Sequence, residues 1–78
     1  FASPERLLMK DQMNKVIFDT LDTLPEELKM AISLRELDGM SYEDIANIMD
    51  CPVGTVRSRI FRAREAIDKQ LQPLLDQS

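Results

Sequence analysis

Apolar residues recur at steps of three and four along almost the whole chain, and this spacing is the strongest constraint on the fold. In four separate segments they would form one stripe on an α-helix, because 3.6 residues complete a helical turn. The 78 residues include only two glycines, and the abundant Ala, Leu, Met, Glu, Lys and Arg lose little rotamer freedom in a helix. The sequence therefore predicts one all-α, four-helix domain over residues 1–78.

The first two helices have recognisable start and stop signals. Ser3 followed by Pro4 is typical of an N-cap and a first helical position, and the helix that starts there should run for about five turns. Its expected apolar stripe is Met9, Met13, Val16, Ile17, Leu21 and Leu24. Thr23 and Glu26 fit a capping box that starts the second helix, and Gly39 suits the left-handed residue after its end. The expected inward positions of this helix are Leu28, Ala31, Ile32, Leu34 and Leu37.

The third and fourth helices are separated by about three residues, the connection found in a helix-turn-helix unit. Ser41 is the expected N-cap of the third helix, and a turn at 50–52 ends it. Asp50 stands where many such units have glycine, although Asp tolerates left-handed backbone better than most residues. Ala46 is small enough for the fourth helix to cross closely, and Pro73 is expected to end that helix. The pattern predicts a helix-turn-helix at about 41–65.

Charge is distributed unevenly along the chain. The net charge is −4, but residues 1–50 have five basic and eleven acidic side chains, whereas residues 51–78 have five basic and three acidic. Four arginines and no acid lie between Cys51 and Arg64. Since salt screens distant charges over about 8 to 10 Å, this local positive field favours an anionic partner despite the negative total.

A helical wheel separates the fourth helix into two faces. Val56, Ile60, Ala63 and Ile67 would face the core. The opposite face holds Gly54, Thr55, Ser58, Phe61, Arg62 and Glu65, with Arg57 at its margin and Arg59 and Arg64 nearer the core edges. Arginine can bind guanine with two hydrogen bonds, serine and threonine can bond bases or phosphates, and a phenylalanine edge can pack on a thymine methyl. This face suits a DNA major groove.

Other interpretations of these residues remain open. The arginines would also fit a solvated helix face, and Phe61 would also fit a core position or a protein contact. Cys51 suits a small apolar plug in the turn, with a redox sensor as the alternative.

Several functional classes are excluded by composition. The chain has no histidine and one cysteine, so a zinc site, a disulfide framework, a Cys/His dyad and a Ser/His/Asp triad cannot be formed within it. We expect no catalytic residues, no metal and no cofactor. No apolar run approaches the roughly 20 residues of a membrane span, and no signal peptide is recognisable, which favours a cytoplasmic protein. Because the chain starts at Phe1, we expect it to be a piece whose N-terminal remainder is absent.

Four segments together resemble a known family. They are LPEEL at 24–28, LREL at 34–37, SYEDIA at 41–46 and CPVGTVRSRIFRAR at 51–64. They are similar to region 4, the C-terminal domain, of extracytoplasmic-function sigma factors of the sigma-70 family, nearest to the sigma-E kind. The similarity covers about residues 3–75, and the last segment is its most specific part.

The resemblance implies a promoter-recognition domain that binds the −35 element of double-stranded DNA in transcription initiation of envelope-stress type genes. It implies that bases are read by Arg57, Ser58, Phe61 and Arg62. It implies phosphate contacts by Arg35, Tyr42, Thr55 and Arg59, and Arg64 is added as a flanking charge. The implied protein partners are the β flap of RNA polymerase core and a membrane-bound anti-sigma factor, without direct membrane insertion.

Two rival functions remain at this stage. The helix-turn-helix output domain of a response regulator has the same core spacing but would usually act as a dimer on a symmetric site. A helical protein-interaction module would use the Arg/Phe face against an acidic partner. Binding by a monomer to an asymmetric site separates sigma factor region 4 from the first rival, and failure to bind any duplex at low salt favours the second.

Overall fold

Four helices and no strands make up the part of the chain that the computed structural model describes, residues 4–76. The helices are α1 (Pro4–Thr23), α2 (Glu26–Glu36), α3 (Tyr42–Met49) and α4 (Val53–Asp76). The all-α, four-helix prediction is confirmed. The predicted Ser3 cap lies outside the described residues, while α1 begins at Pro4 as expected.

The joint between α1 and α2 differs from the predicted capping box. Thr23 is the last residue of α1, and its hydroxyl donates a 2.7 Å hydrogen bond to the backbone oxygen of Thr20. The N-cap of α2 is Pro25, in extended conformation, with no side-chain capping bond. The prediction is wrong because α1 continues to Thr23, where a hydroxyl bonds back to its own helix rather than forward to the next.

The segment between α2 and α3 follows the sequence signals more closely. Gly39 has a φ of +66°, and the hydroxyl of Ser41 accepts a 3.1 Å hydrogen bond from the backbone N–H of Asp44, so both predictions are confirmed. Leu37, expected to face inward, is 68% exposed. It lies five residues after the buried Ile32, about 140° around the helix, and therefore falls outside the apolar stripe.

The turn between α3 and α4 closes without a glycine. Asp50 is in the left-handed conformation, with φ 52° and ψ 55°, and its N–H bonds to the backbone oxygen of Ala46. The N–H of Cys51 reaches the same oxygen at 3.1 Å. This shared acceptor ends α3 and turns the chain into α4, the geometry expected of a helix C-terminus with a left-handed cap.

The core lies where α2, α3 and α4 meet. Its buried members are Ala31, Ile45, Ala46, Val56 and Ile60. Ala46 is only 7% exposed, which agrees with the predicted close crossing of the two helices.

Helix α4 is longer than expected. It continues through Pro73 to Asp76, so the prediction that Pro73 ends it is wrong. A proline inside a helix removes one backbone hydrogen bond, and both Pro73 and Lys69, whose carbonyl loses its partner, are exposed residues. Leu71 is buried beside it. α4 packs against each of the other three helices, and no described helix is long and apolar enough to cross a membrane.

Candidate nucleic-acid interface

The outward face of α4 presents four side chains to solvent. Arg57, Ser58, Phe61 and Arg62 are all exposed, on the side opposite the buried Val56, Ile60 and Ala63. Phe61 is 66% exposed, so it is not a core residue. We call these four the reading residues. They span about one and a half turns of helix, which is the scale at which a helix addresses successive base pairs in a major groove.

The start of α4 is open to approach. Gly54 is exposed, and nothing lies within 4 Å of the position that a Cβ atom would take there. The first turn contains no acidic side chain, and Thr55 beside it is half-buried. Free backbone N–H groups at a helix N-terminus attract anions. This end can therefore receive a phosphate without a steric or charge conflict.

Tyr42, the first residue of α3, contacts arginines from two other helices. The guanidinium carbon of Arg35 lies 4.9 Å from the centre of the Tyr42 ring, and that of Arg57 lies 5.6 Å from it. Both distances fall within the range of cation–π attraction, about 6 Å. Arg35 also donates a 2.8 Å hydrogen bond to the backbone oxygen of Met40. A reading residue is thereby connected to the end of α2 through one ring.

Arg64 lies on the same flank of α4 as Arg57, about two helical turns further along the helix. Its guanidinium donates a hydrogen bond to the carboxylate of Glu36. This bond to Glu36 raises the pKa of Arg64 above its usual range, with a smaller contribution from Tyr42. The charge of Arg64 is therefore already balanced by an acid of the same chain.

Arg59 is on the opposite flank. Its guanidinium reaches the Sγ atom of Cys51 at 3.6 Å, and it borders an open groove between α2 and α3. The other residues lining that groove are Glu26, Glu27, Met30, Ile48 and Met49. Because Glu26 and Glu27 line this groove, the local electrostatic environment of Arg59 is less positive than that of Arg57.

The structure brings most of the predicted site residues to one surface. Arg35, Tyr42 and Arg64 lie on the flank next to the reading residue Arg57, while Arg59 stands apart on the other flank. Sequence reasoning missed Glu36, which pairs with Arg64 across 28 residues. No periodic pattern could reveal that contact, because it depends on how α2 packs against α4. Within residues 4–76, no group of three or more His, Cys, Asp or Glu is arranged to hold a metal ion.

Comparison with known proteins gives a consistent set of matches. The family described as Sigma-70, region 4, matches residues 15–67. The chain is 64% identical over 74 residues to the ECF RNA polymerase sigma-E factors of Salmonella typhimurium and Escherichia coli K12, a match that covers 95% of this chain. It is 62% identical over 73 residues to the factor of the same name from Haemophilus influenzae, covering 94% of this chain. The chain spans 39% of the length of these relatives.

Proposed function

Because this chain belongs to the sigma-70 region 4 family, we propose that it is the promoter-recognition domain of a bacterial RNA polymerase sigma factor and binds the −35 element. The observation that carries the proposal is the exposed set of reading residues on α4, the second helix of a helix-turn-helix. The chain binds DNA and has no catalysis of its own.

The reading residues divide the recognition chemistry among them. Arg57 and Arg62 each offer the planar fork of donors that matches O6 and N7 of guanine. Ser58 lies between them on the same face and can donate to or accept from a base edge. Phe61 contributes an apolar edge for a thymine methyl. Together they would distinguish base pairs over the few steps that one turn of helix covers.

Phosphate contacts would surround this reading face. The proposed contacts are Arg35, Tyr42, Thr55, Arg59 and Arg64. Thr55 is beside the open N-terminus of α4, where backbone N–H groups favour an anion. Arg35 and Tyr42 lie at the junction of α2 and α3. Arg64 would have to exchange Glu36 for a phosphate, and Arg59 would have to leave Cys51.

The wider assignments are those that the family resemblance implies, and the relatives' printed name, ECF RNA polymerase sigma-E factor, supports them only in its mention of the polymerase and of sigma-E. We propose that the chain acts in the cytoplasm, docks on the β flap of the polymerase core, and is held inactive by a membrane-bound anti-sigma factor until an envelope stress releases it. One small module buries only about 600 to 1,000 Å² on DNA, so we expect weak binding by this chain alone and stronger binding within the polymerase.

Selection of bound duplexes from a random pool tests the proposal directly. We expect enrichment of one asymmetric motif, bound by a monomer. With four or five phosphates neutralised, log K should fall with log salt at a slope of about −4. Binding to a palindrome as a dimer would instead indicate a response-regulator output domain. Failure to bind any duplex at low salt would indicate a protein-interaction module.

A further inference from the structure

We propose that Tyr42 is a positioning residue for Arg57, so that the base preference of α4 depends on a side chain outside that helix. The inference rests on the proposed function and deepens it, since it assigns a specificity role to a residue of α3. It also differs from the phosphate contact that the family resemblance implies for Tyr42.

The geometry around the ring supports this role. The Arg57 guanidinium carbon is 5.6 Å from the ring centre, and Arg57 itself is exposed on the reading face. An exposed arginine otherwise samples many rotamers, and ordering it on DNA costs side-chain conformational freedom. A ring that already holds the guanidinium reduces the freedom lost on binding.

The ring is itself held in place. Tyr42 is half-buried and packs against the core cluster of α2, α3 and α4. The Tyr42 ring also contacts Arg35, whose guanidinium carbon lies 4.9 Å from the ring centre. Arg35 donates a hydrogen bond to the Met40 backbone oxygen as well. Arg35 is therefore fixed at both the ring and the backbone. The support for Arg57 is built from rigid parts rather than from another mobile side chain.

Electrostatics sharpens the effect. Two guanidinium groups on one ring repel each other, and this repulsion favours Arg57 extending toward solvent and the groove rather than folding back over α2. Arg35 is tied to Met40 and cannot move away as easily. The ring attracts Arg57 and its cationic neighbour limits the direction it takes.

The phosphate contact proposed for Tyr42 would use its hydroxyl rather than its ring, and two substitutions separate the two roles. Tyr42→Phe keeps the ring and removes the hydroxyl, whereas Tyr42→Leu removes the ring. If the ring positions Arg57, Tyr42→Phe should retain the base preference. Tyr42→Leu should lower discrimination about two- to fivefold, the size of an exposed cation–π contact. The loss should fall on the same base position that Arg57→Ala relaxes.

The experiment measures affinities of the unaltered chain, the three single variants and the Tyr42→Leu/Arg57→Ala double variant. The duplexes are the selected motif, its single-base substitutions and a random sequence. We expect the double variant to discriminate no worse than Arg57→Ala alone, because the ring affects base preference only through that arginine. Unchanged discrimination in Tyr42→Leu, or additive losses of discrimination in the double variant, would overturn the proposal.

A measurement without DNA guards against simple loss of folding. In the unaltered chain and in Tyr42→Phe, the ring should shift the NMR signals of the Arg57 side chain, and Tyr42→Leu should abolish that shift while circular dichroism stays helical. Absence of the shift in the unaltered chain would overturn the inference alone. If the shift is present but the unaltered chain binds no duplex, the proposed function fails and this inference fails with it.

Discussion

Arg64 on α4 and Glu36 at the end of α2 form an ion pair in which both side chains are about half exposed, at 49% and 51%. A carboxylate and a phosphate oxygen present similar acceptors to a guanidinium. Glu36 therefore occupies the guanidinium group that a DNA phosphate would need if Arg64 contacts the DNA backbone. The pair couples the flank of the proposed interface to α2 and sets up a competition between an internal and an external anion.

Replacement of Glu36 tests this competition. In Glu36→Gln, we expect affinity to rise about two- to fivefold on specific and random duplexes alike, with a salt slope steeper by about one. The free energy of unfolding should fall by no more than about 0.5 kcal/mol, because half-exposed ion pairs contribute little. Asp11→Asn on α1 is the control, since it removes the same charge without freeing Arg64. An unchanged slope in Glu36→Gln would mean that Arg64 does not contact phosphate.

The two arginines Arg62 and Arg59 should behave differently on DNA. Arg62→Ala should cost about 1 to 3 kcal/mol and relax preference at one base position. Arg59→Ala should weaken specific and random duplexes equally and reduce the salt slope by roughly one. Fluorescence anisotropy on matched duplexes measures both. Equal loss of affinity for the two duplexes in Arg62→Ala would remove Arg62 from the reading residues. A base-specific loss in Arg59→Ala would contradict the assignment of Arg59 as a phosphate contact.

Two isoleucines on α3 provide a matched test of the core. Ile45 is fully buried, while Ile48 is 56% exposed on the same helix. Ile45→Ala should lower the free energy of unfolding by about 2 to 5 kcal/mol through lost burial and a cavity. Ile48→Ala should change it by less than about 0.5 kcal/mol. Urea titration followed by circular dichroism gives both values, and similar losses would show that the orientation of α3 is incorrect.

Replacing the left-handed turn residue Asp50 with glycine should increase the stability of the fold. Asp50→Gly relieves the strain of a φ of 52°, while the added freedom of glycine in the unfolded chain opposes the gain, so we expect a net stabilisation of up to about 1 kcal/mol. Asp50→Ala should instead destabilise, because alanine tolerates this conformation less well. Thermal melts of the two variants, compared with the unaltered chain, check the sign of each change. A lower melting temperature for the glycine variant would contradict the strain argument.

Stability should depend little on pH near neutrality. The chain has no histidine. The pKa of Lys15 is raised by its hydrogen bond to Asp19, and that of Arg64 by its hydrogen bond to Glu36. Stability from a base with a raised pKa is fully present below the unfolded pKa and is lost only as pH rises through the folded one, here above about pH 10. We expect melting temperatures at pH 6.5 and pH 8 to agree within about 2 °C. A larger change would point to a titrating group outside these pairs.

Local chemistry could be predicted from the sequence, while contacts between helices could not. Ser41, Gly39 and Asp50 were assigned correctly because a cap or a left-handed residue depends on its immediate neighbours. Thr23 was assigned wrongly because its hydroxyl had two possible acceptors, one in each direction along the chain, and only the continuation of α1 decides between them.

Contacts between side chains of different helices could be identified only from the structure. Arg57 was expected on the reading face, but its proximity to Tyr42 depends on the angle at which α3 crosses α4. The pairing of Arg64 with Glu36 depends likewise on how α2 lies against the same helix. Periodicity gives the face of each helix and carries no information about which side chains meet between helices.

The packing of α4 against all three other helices has a consequence for how this protein can change over evolutionary time. The inner positions Val56 and Ile60 are buried in the core shared with α2 and α3, so drift there is penalised. Outer positions such as Ser58, Phe61 and Arg62 are exposed, so they can be exchanged at little cost in stability. A lineage can therefore acquire a new target sequence by substituting a few outward residues, while the scaffold that presents them stays the same.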